Sequence, residues 1–284
     1  MMIIDFHTHI FPPAFRRERE RYFDGEPAFR LLYDAPKAKL AGAAELIAAM
    51  DEHGIDMSVT FGFPWHSEEY FKCHNDYILE AMARYPKRLI GFGCCDCLHP
   101  AAAAETDRCL SSGLAGMGEL AFYCSDMDCA SLEGLDPIME LCRKYDRPVM
   151  LHTNEPVGHR YPGKTENTLA QIYGLVRRFD RNRIVLAHWG AGLFFYTLLK
   201  REVSQSLANV WFDTAASPFL YRPDIYALAL QLAGGHKILL GSDYPLLSPG
   251  RYFAEMAQAG LSEEERRRIT GHNAAALLKL THGT

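Results

Sequence analysis

The chain has 284 residues, of which 48% are hydrophobic and 23% charged, an ordinary globular composition that excludes a disordered or low-complexity polymer. Lys and Arg number 30 against 35 Asp and Glu, a net charge of −5 spread along the chain, so no basic footprint invites nucleic acid as a partner. The longest stretch without charged side chains, 184–199, is interrupted by His188, Gly190 and Gly192 and is too short to span a bilayer. The N-terminus shows no basic and apolar leader. The expectation is a cytoplasmic protein with no membrane partner.

Apolar runs at 2–9, 57–63, 89–95, 116–122, 148–153, 184–188, 210–214 and 238–243 read as eight strands. After the first comes the long irregular stretch 10–39, with Pro12, Pro13, Pro27 and Pro36. The segment 43–53 carries Leu46, Ile47 and Met50 on one helical face and stops at Gly54, a C-cap signal. Helical patterns follow at 75–85, before Pro86, and at 100–112, before Gly113. Asp136-Pro137 offers a cap and a first-turn proline. Phe194-Phe195-Tyr196 and Leu198-Leu199 form an apolar helix start, expected to pack on the barrel, with an oligomer interface as the sharper alternative. Ser262 and Glu265 make a capping box for a last helical region past Gly271 to Leu280.

This alternation predicts an α/β fold, a (β/α)8 TIM barrel occupying residues 1–284 as one domain. An open doubly wound sheet alternates in the same way. It usually carries a glycine-rich turn after its first strand, where this chain has Asp5-Phe6-His7-Thr8-His9. In a barrel the stretch 10–39 overhangs the mouth of the site.

Side chains two apart on a strand share a face, which groups Asp5 with His7 and His9. Alone, an H-x-H pair is weak. It gains force because Glu119, His152, His188 and Asp243 each follow an apolar run, at the strand ends where barrels place their chemistry. Six side chains able to bind metal would then meet on one rim. The eight cysteines read mainly as buried, reduced thiols, with Cys124 the exception to weigh. His272 and Asn273 read as a cap or packing feature.

These pieces, together with Ala187-His188-Trp189-Gly190, Gly241-Ser242-Asp243-Tyr244-Pro245 and Gly271-His272-Asn273-Ala274-Ala275-Ala276-Leu277-Leu278, resemble the amidohydrolase superfamily of metal-dependent barrels. More narrowly, they resemble its amidohydrolase-related branch, which includes aminocarboxymuconate-semialdehyde decarboxylase-like proteins. The resemblance implies that His7, His9, His152 and Asp243 hold a divalent ion, Zn2+ or another such as Mn2+, with His188 nearby as acid, base or carbonyl polariser. Glu119 is similar to a strand-four glutamate of TatD-like members that joins the metal site and often bridges two ions, so one or two ions per chain are implied.

Metal-bound water ionises near neutral pH, and Asp243 and His188 are the catalytic candidates for moving its proton and polarising a carbonyl. The leading expectation is therefore a hydrolase of a small amide, cyclic amide, lactone or ester. The alternative is a non-hydrolytic decarboxylase or hydratase of an unsaturated carboxylic acid. A TatD-like nuclease and a non-catalytic metal-binding barrel stand behind these. The partner is a small molecule, and the charge is compatible with an anionic one held by Arg16, Arg17, Arg19, Arg21, Arg160 or Arg222. Trp65, His66, Tyr123, Asn154, Trp189, Pro218 and Tyr244 follow strands and are candidates to line the pocket. A homodimer is compatible with the sequence.

Overall fold

The computed structural model describes residues 2–125 and 127–280. All eight expected strands are present: β1 (Ile4–His9), β2 (Met57–Phe61), β3 (Leu89–Gly91), β4 (Met117–Leu120), β5 (Val149–Leu151), β6 (Ile184–Leu186), β7 (Val210–Asp213) and β8 (Ile238–Leu239). Neighbours pair in parallel as β1-β2-β3 and β4-β5-β6-β7-β8. Parallel bridges Gly93 to Met117 and Thr8 to Tyr244 join the two sheets, and Phe6 N donates to Leu240 O. The sheet therefore closes on itself as a (β/α)8 barrel.

Side-chain alternation separates two cores. Phe6, Phe61, Phe92, Met150, Val185 and Leu239 belong to one buried cluster together with Ala274, Ala275, Leu277 and Leu278 of the last helix. Residues from strands all around the sheet share a cluster only inside the barrel. Val149, Leu151, Ile184, Leu186, Ile238 and Leu240 lie instead in the larger cluster that contains the helices.

Two strands break this alternation, and both carry site residues. The register shifts between Asp5 and Thr8 on β1 and between Met117 and Leu120 on β4. Such irregularities re-aim side chains next to functional sites. Ile4 and Phe6 are interior residues, so plain alternation would send His7 toward the helices; past the shift, His7 and His9 both pack against the interior ring of Phe61. The expectation that Asp5 shares their face fails for the same reason. Asp5 instead accepts hydrogen bonds from Ser242 N and Ser242 Oγ, tying β1 to the end of β8. On β4, a Cβ at Gly118 would lie 2.6 Å from Met150 Cβ, so only glycine lets the chain pass there.

The helix Ala43–His53 ends at Gly54 with φ 67°, as expected. The next, Glu68–Arg84, begins earlier than its periodicity suggested. Glu26 accepts from His66 N and Ser67 N, the two amides just before this helix. The helix Ala102–Ser111 follows β3. Pro137 is not a first-turn proline, because the helix spans Cys129–Lys144 and is capped by Asp128, which accepts from Ser131 N. The capping box of Ser262 and Glu265 is present, and Asn273 donates to Gly235 O and Ile238 O, a packing role.

The expected burial of the apolar run after β6 holds only for its first part. Phe194 is buried, whereas Leu198 and Leu199 are 74% and 68% exposed. The backbone passes through left-handed φ at every residue from His188 to Gly192, which turns the chain outward before a regular helix can lay those side chains on the barrel. Among the described residues no helix is long and apolar enough to cross a membrane.

Candidate metal centre

Four imidazoles and three carboxylates meet at the C-terminal ends of the strands. His7 Nε2 and His9 Nε2 are 3.3 Å apart. Asp243 Oδ1 lies 3.7 Å from the first and 3.5 Å from the second. Glu119 sits centrally: its Oε1 is 2.9 Å from His152 Nδ1 and 3.2 Å from His188 Nε2, and its Oε2 is 3.6 Å from His7 Nε2. Two groups have ligand atoms close enough for a shared ion, namely His7, His9 and Asp243, and His7, Glu119 and His188.

His152 joins neither group. Its Nδ1 faces Glu119 and its Nε2 faces Gly163 O at 2.9 Å, so the loop after β5 holds the ring against Glu119. The expected set is thus brought together at one mouth, with His152 attached through the carboxylate.

Asp213, at the end of β7, belongs to the site and was absent from the sequence-based candidates. It accepts from His7 Nδ1 at 2.8 Å and from His188 N at 2.9 Å, which fixes two of the imidazole-bearing residues. Its signal was the same as that of its neighbours, a polar residue closing the apolar run Val210-Trp211-Phe212. His188 and Asp243 have φ of 55° and 59°, a region that non-glycine residues enter only where surroundings over-determine it. Asp243 N donates to His7 O at 2.9 Å, which pins one of these turns. Cys94, alone among the eight thiols in this respect among the described residues, touches the site: its Sγ donates to Glu119 O.

Mutual electrostatics dominate over burial. Burial opposes a charged His7, yet the carboxylates of Asp213, Glu119 and Asp243 push its pKa up to about 10. Burial likewise opposes an ionised Glu119, and the His152 and His7 charges override it and hold the carboxyl well below the usual range. Asp243 is lowered by its hydrogen bond from His9 and by the His7 charge, again against burial. The cluster is built to keep carboxylates ionised.

The arginines expected to reach substrate are engaged elsewhere. Arg16 pairs with Glu45, Arg17 donates to Pro13 O, Arg19 to Ala38 O and Pro36 O, and Arg21 pairs with Glu18. Arg160 and Arg222 pair with Glu166 and Asp224, their side chains 83% and 88% exposed. Of the aromatic candidates, Tyr123 does face the centre, its ring 5.0 Å from that of His152. Trp65 is buried and donates to His74, His66 pairs with Asp96 and Asn154 accepts from Thr165 N, so these three are structural.

The model of the family described as Amidohydrolase matches residues 4–280. The chain belongs to this amidohydrolase family. It is 24% identical to 2-amino-3-carboxymuconate-6-semialdehyde decarboxylase of Dictyostelium discoideum, over 98% of this chain and 91% of that protein. It is also 24% identical to gamma-resorcylate decarboxylase of a Polaromonas species, over 82% of this chain and 86% of the relative. Among solved structures, 5-carboxyvanillate decarboxylase from Sphingomonas paucimobilis superposes with a TM-score of 0.77 at 19% identity, covering 99% of both chains. A dihydroxybenzoic acid decarboxylase from Polaromonas, solved with manganese and 2-nitroresorcinol, gives 0.75 at 20% identity, covering 99% of this chain and 98% of the other.

These relatives correct the leading expectation. Both sequence relatives are decarboxylases, so hydrolysis of an amide, lactone or ester gives way to the non-hydrolytic alternative. The physical reason for the error is that one set of imidazole and carboxylate ligands serves either reaction on the same barrel.

Proposed function

We propose that the chain is a metal-dependent decarboxylase that removes the carboxyl group of an aromatic or other conjugated, unsaturated carboxylic acid without adding water. Two relatives that are decarboxylases support the reading, and so does a donor set suited to a divalent ion. The carrying observation is the convergence of His7, His9 and Asp243 at one end of the barrel.

Imidazole nitrogens and carboxylate oxygens match manganese or zinc, and the Polaromonas structure contains manganese, which favours that ion. His7 offers only Nε2, since Nδ1 is committed to Asp213. His7, His9 and Asp243 would hold the ion in one arrangement, and His7, Glu119 and His188 in the other. When bound, the ion supplies Lewis acidity that polarises the substrate's oxygens.

The remaining work falls to the chain. Breaking the bond between ring and carboxyl group leaves its electron pair on the ring carbon, which must take up a proton as CO2 departs. Asp243 is the carboxylate open to the mouth, its side chain 14% exposed against 4% for Glu119 and none for Asp213, and is assigned that proton transfer. His188, whose Nδ1 contacts Ala215 O and whose Nε2 faces Glu119 Oε1 at 3.2 Å, is the second proton-carrying group. The test is to offer manganese-loaded protein a panel of hydroxybenzoates and conjugated dienoic acids. Stoichiometric CO2 with no solvent oxygen in the product is expected, and products carrying solvent oxygen without CO2 would overturn the reading.

A further inference from the structure

The wall of the mouth beside His152 consists of aromatic rings in sequence. Tyr123 lies 5.0 Å from the His152 ring and runs parallel to Phe63, with centroids 6.0 Å apart. Phe63 in turn meets Tyr33 at 5.9 Å, and Phe29 supports both. Tyr123 follows β4. Tyr33 ends the short helix Pro27–Tyr33 within the stretch that overhangs the mouth. The two phenols therefore belong to one wall, although one comes from the loop after β4 and the other from the stretch after β1.

Tyrosine hydroxyls in partly or fully buried places usually find a partner, as Tyr252 does on Ser242 O and Tyr145 on Asp107. Neither the Tyr33 nor the Tyr123 hydroxyl has a protein partner among the described residues. A phenol is protonated at neutral pH and acts as an uncharged donor. The arginines expected to reach substrate do not compete for this role. The six arginines considered above are held elsewhere, and Lys164 is held by Glu155 at 2.7 Å and Val157 O at 3.0 Å.

We propose that Tyr33 and Tyr123 are the specificity-determining donors of the site, and that they select a planar monocarboxylic acid bearing a second, uncharged oxygen on its ring. The proposal rests on the decarboxylase reading for the identity of the carboxyl group that leaves. Neutral phenol donors suit a hydroxyl or carbonyl oxygen. A second full carboxylate on the same ring edge is better matched by a guanidinium or ammonium, and the six arginines and Lys164 are held elsewhere. The aromatic wall supplies stacking area for a flat ring.

The experiment measures binding by calorimetry and turnover separately, with manganese-loaded protein and three probes: meta-hydroxybenzoate, benzoate and isophthalate. Wild-type protein is expected to bind meta-hydroxybenzoate more tightly than either of the others. Tyr33→Phe and Tyr123→Phe should each weaken meta-hydroxybenzoate by about fivefold, the effect of one neutral hydrogen bond, while leaving benzoate unchanged. In turnover the loss should appear in KM and not in kcat. An equal loss for benzoate, an unchanged meta-hydroxybenzoate affinity in both variants, or a wild-type preference for isophthalate would each overturn the proposal. Binding that follows the expected order with no CO2 released from any hydroxybenzoate would instead sink the decarboxylase reading and leave the assignment of the two phenols standing.

Discussion

His7 Nδ1 donates to Asp213 Oδ2 over 2.8 Å, with both side chains wholly buried. This bond selects the tautomer of His7 and aims Nε2 at the centre, the arrangement by which buried carboxylates orient metal-binding imidazoles. Asp213→Ala should lower manganese affinity by about 10- to 100-fold, measured by competition with a coloured chelator. Unchanged affinity would remove Asp213 from the site.

The two ligand groups share one nitrogen of His7, and one imidazole nitrogen binds one ion. Purified, metal-saturated protein should therefore contain one equivalent of divalent ion per chain by elemental analysis. Two equivalents, falling to one or none in Glu119→Gln, would show Glu119 bridging a pair of ions.

Asp243→Asn preserves size and an oxygen donor while removing the titrating group. Metal content should stay within a factor of a few of wild type, and kcat should fall by about 100-fold or more, the usual worth of a positioned acid or base. Full turnover in a metal-loaded Asp243→Asn variant contradicts the proton-transfer role.

Glu26 holds the overhanging stretch to the barrel by accepting from the two amides just before the helix Glu68–Arg84. Glu26→Ala leaves those amides without their carboxylate partner. A loss of about 1–2 kcal/mol is expected, visible as a lower Tm, with faster proteolysis within residues 10–42. A melting temperature equal to that of wild type would show that water replaces the carboxylate at no cost.

His74 is buried between Trp65 Nε1, which donates to its Nδ1, and Ile10 O, which accepts from its Nε2. Burial pushes its pKa down from 6.5 to about 3. The unfolded chain binds this proton before the folded one does, so the stability contributed by neutral His74 is complete above pH 6.5 and is lost progressively as pH falls toward 3. Nuclear magnetic resonance should find the His74 ring neutral at pH 5. A ring titrating near 6.5 in folded protein contradicts the assignment.

Several features of this protein were legible in the sequence because they depend on local chemistry. Eight apolar runs separated by helical patterns specify the barrel, since period and punctuation are set residue by residue. Polar residues closing those runs mark His7, His9, Glu119, His152, His188 and Asp243, because the C-terminal strand ends of a barrel face one mouth. Tertiary structure alone decided the rest. The register shifts on β1 and β4 turn His7 and Glu119 inward and send Asp5 to Ser242, and such shifts follow from how neighbouring strands fit rather than from any one strand's pattern. Asp213 acquires its role only by standing beside His7, 206 positions away in sequence. The arginines of the overhang turn to their own carbonyls and carboxylates, and Tyr33 from that overhang joins Tyr123 at the mouth. Those outcomes depend on the path of a long loop, and a loop's path is set by the surfaces it packs against.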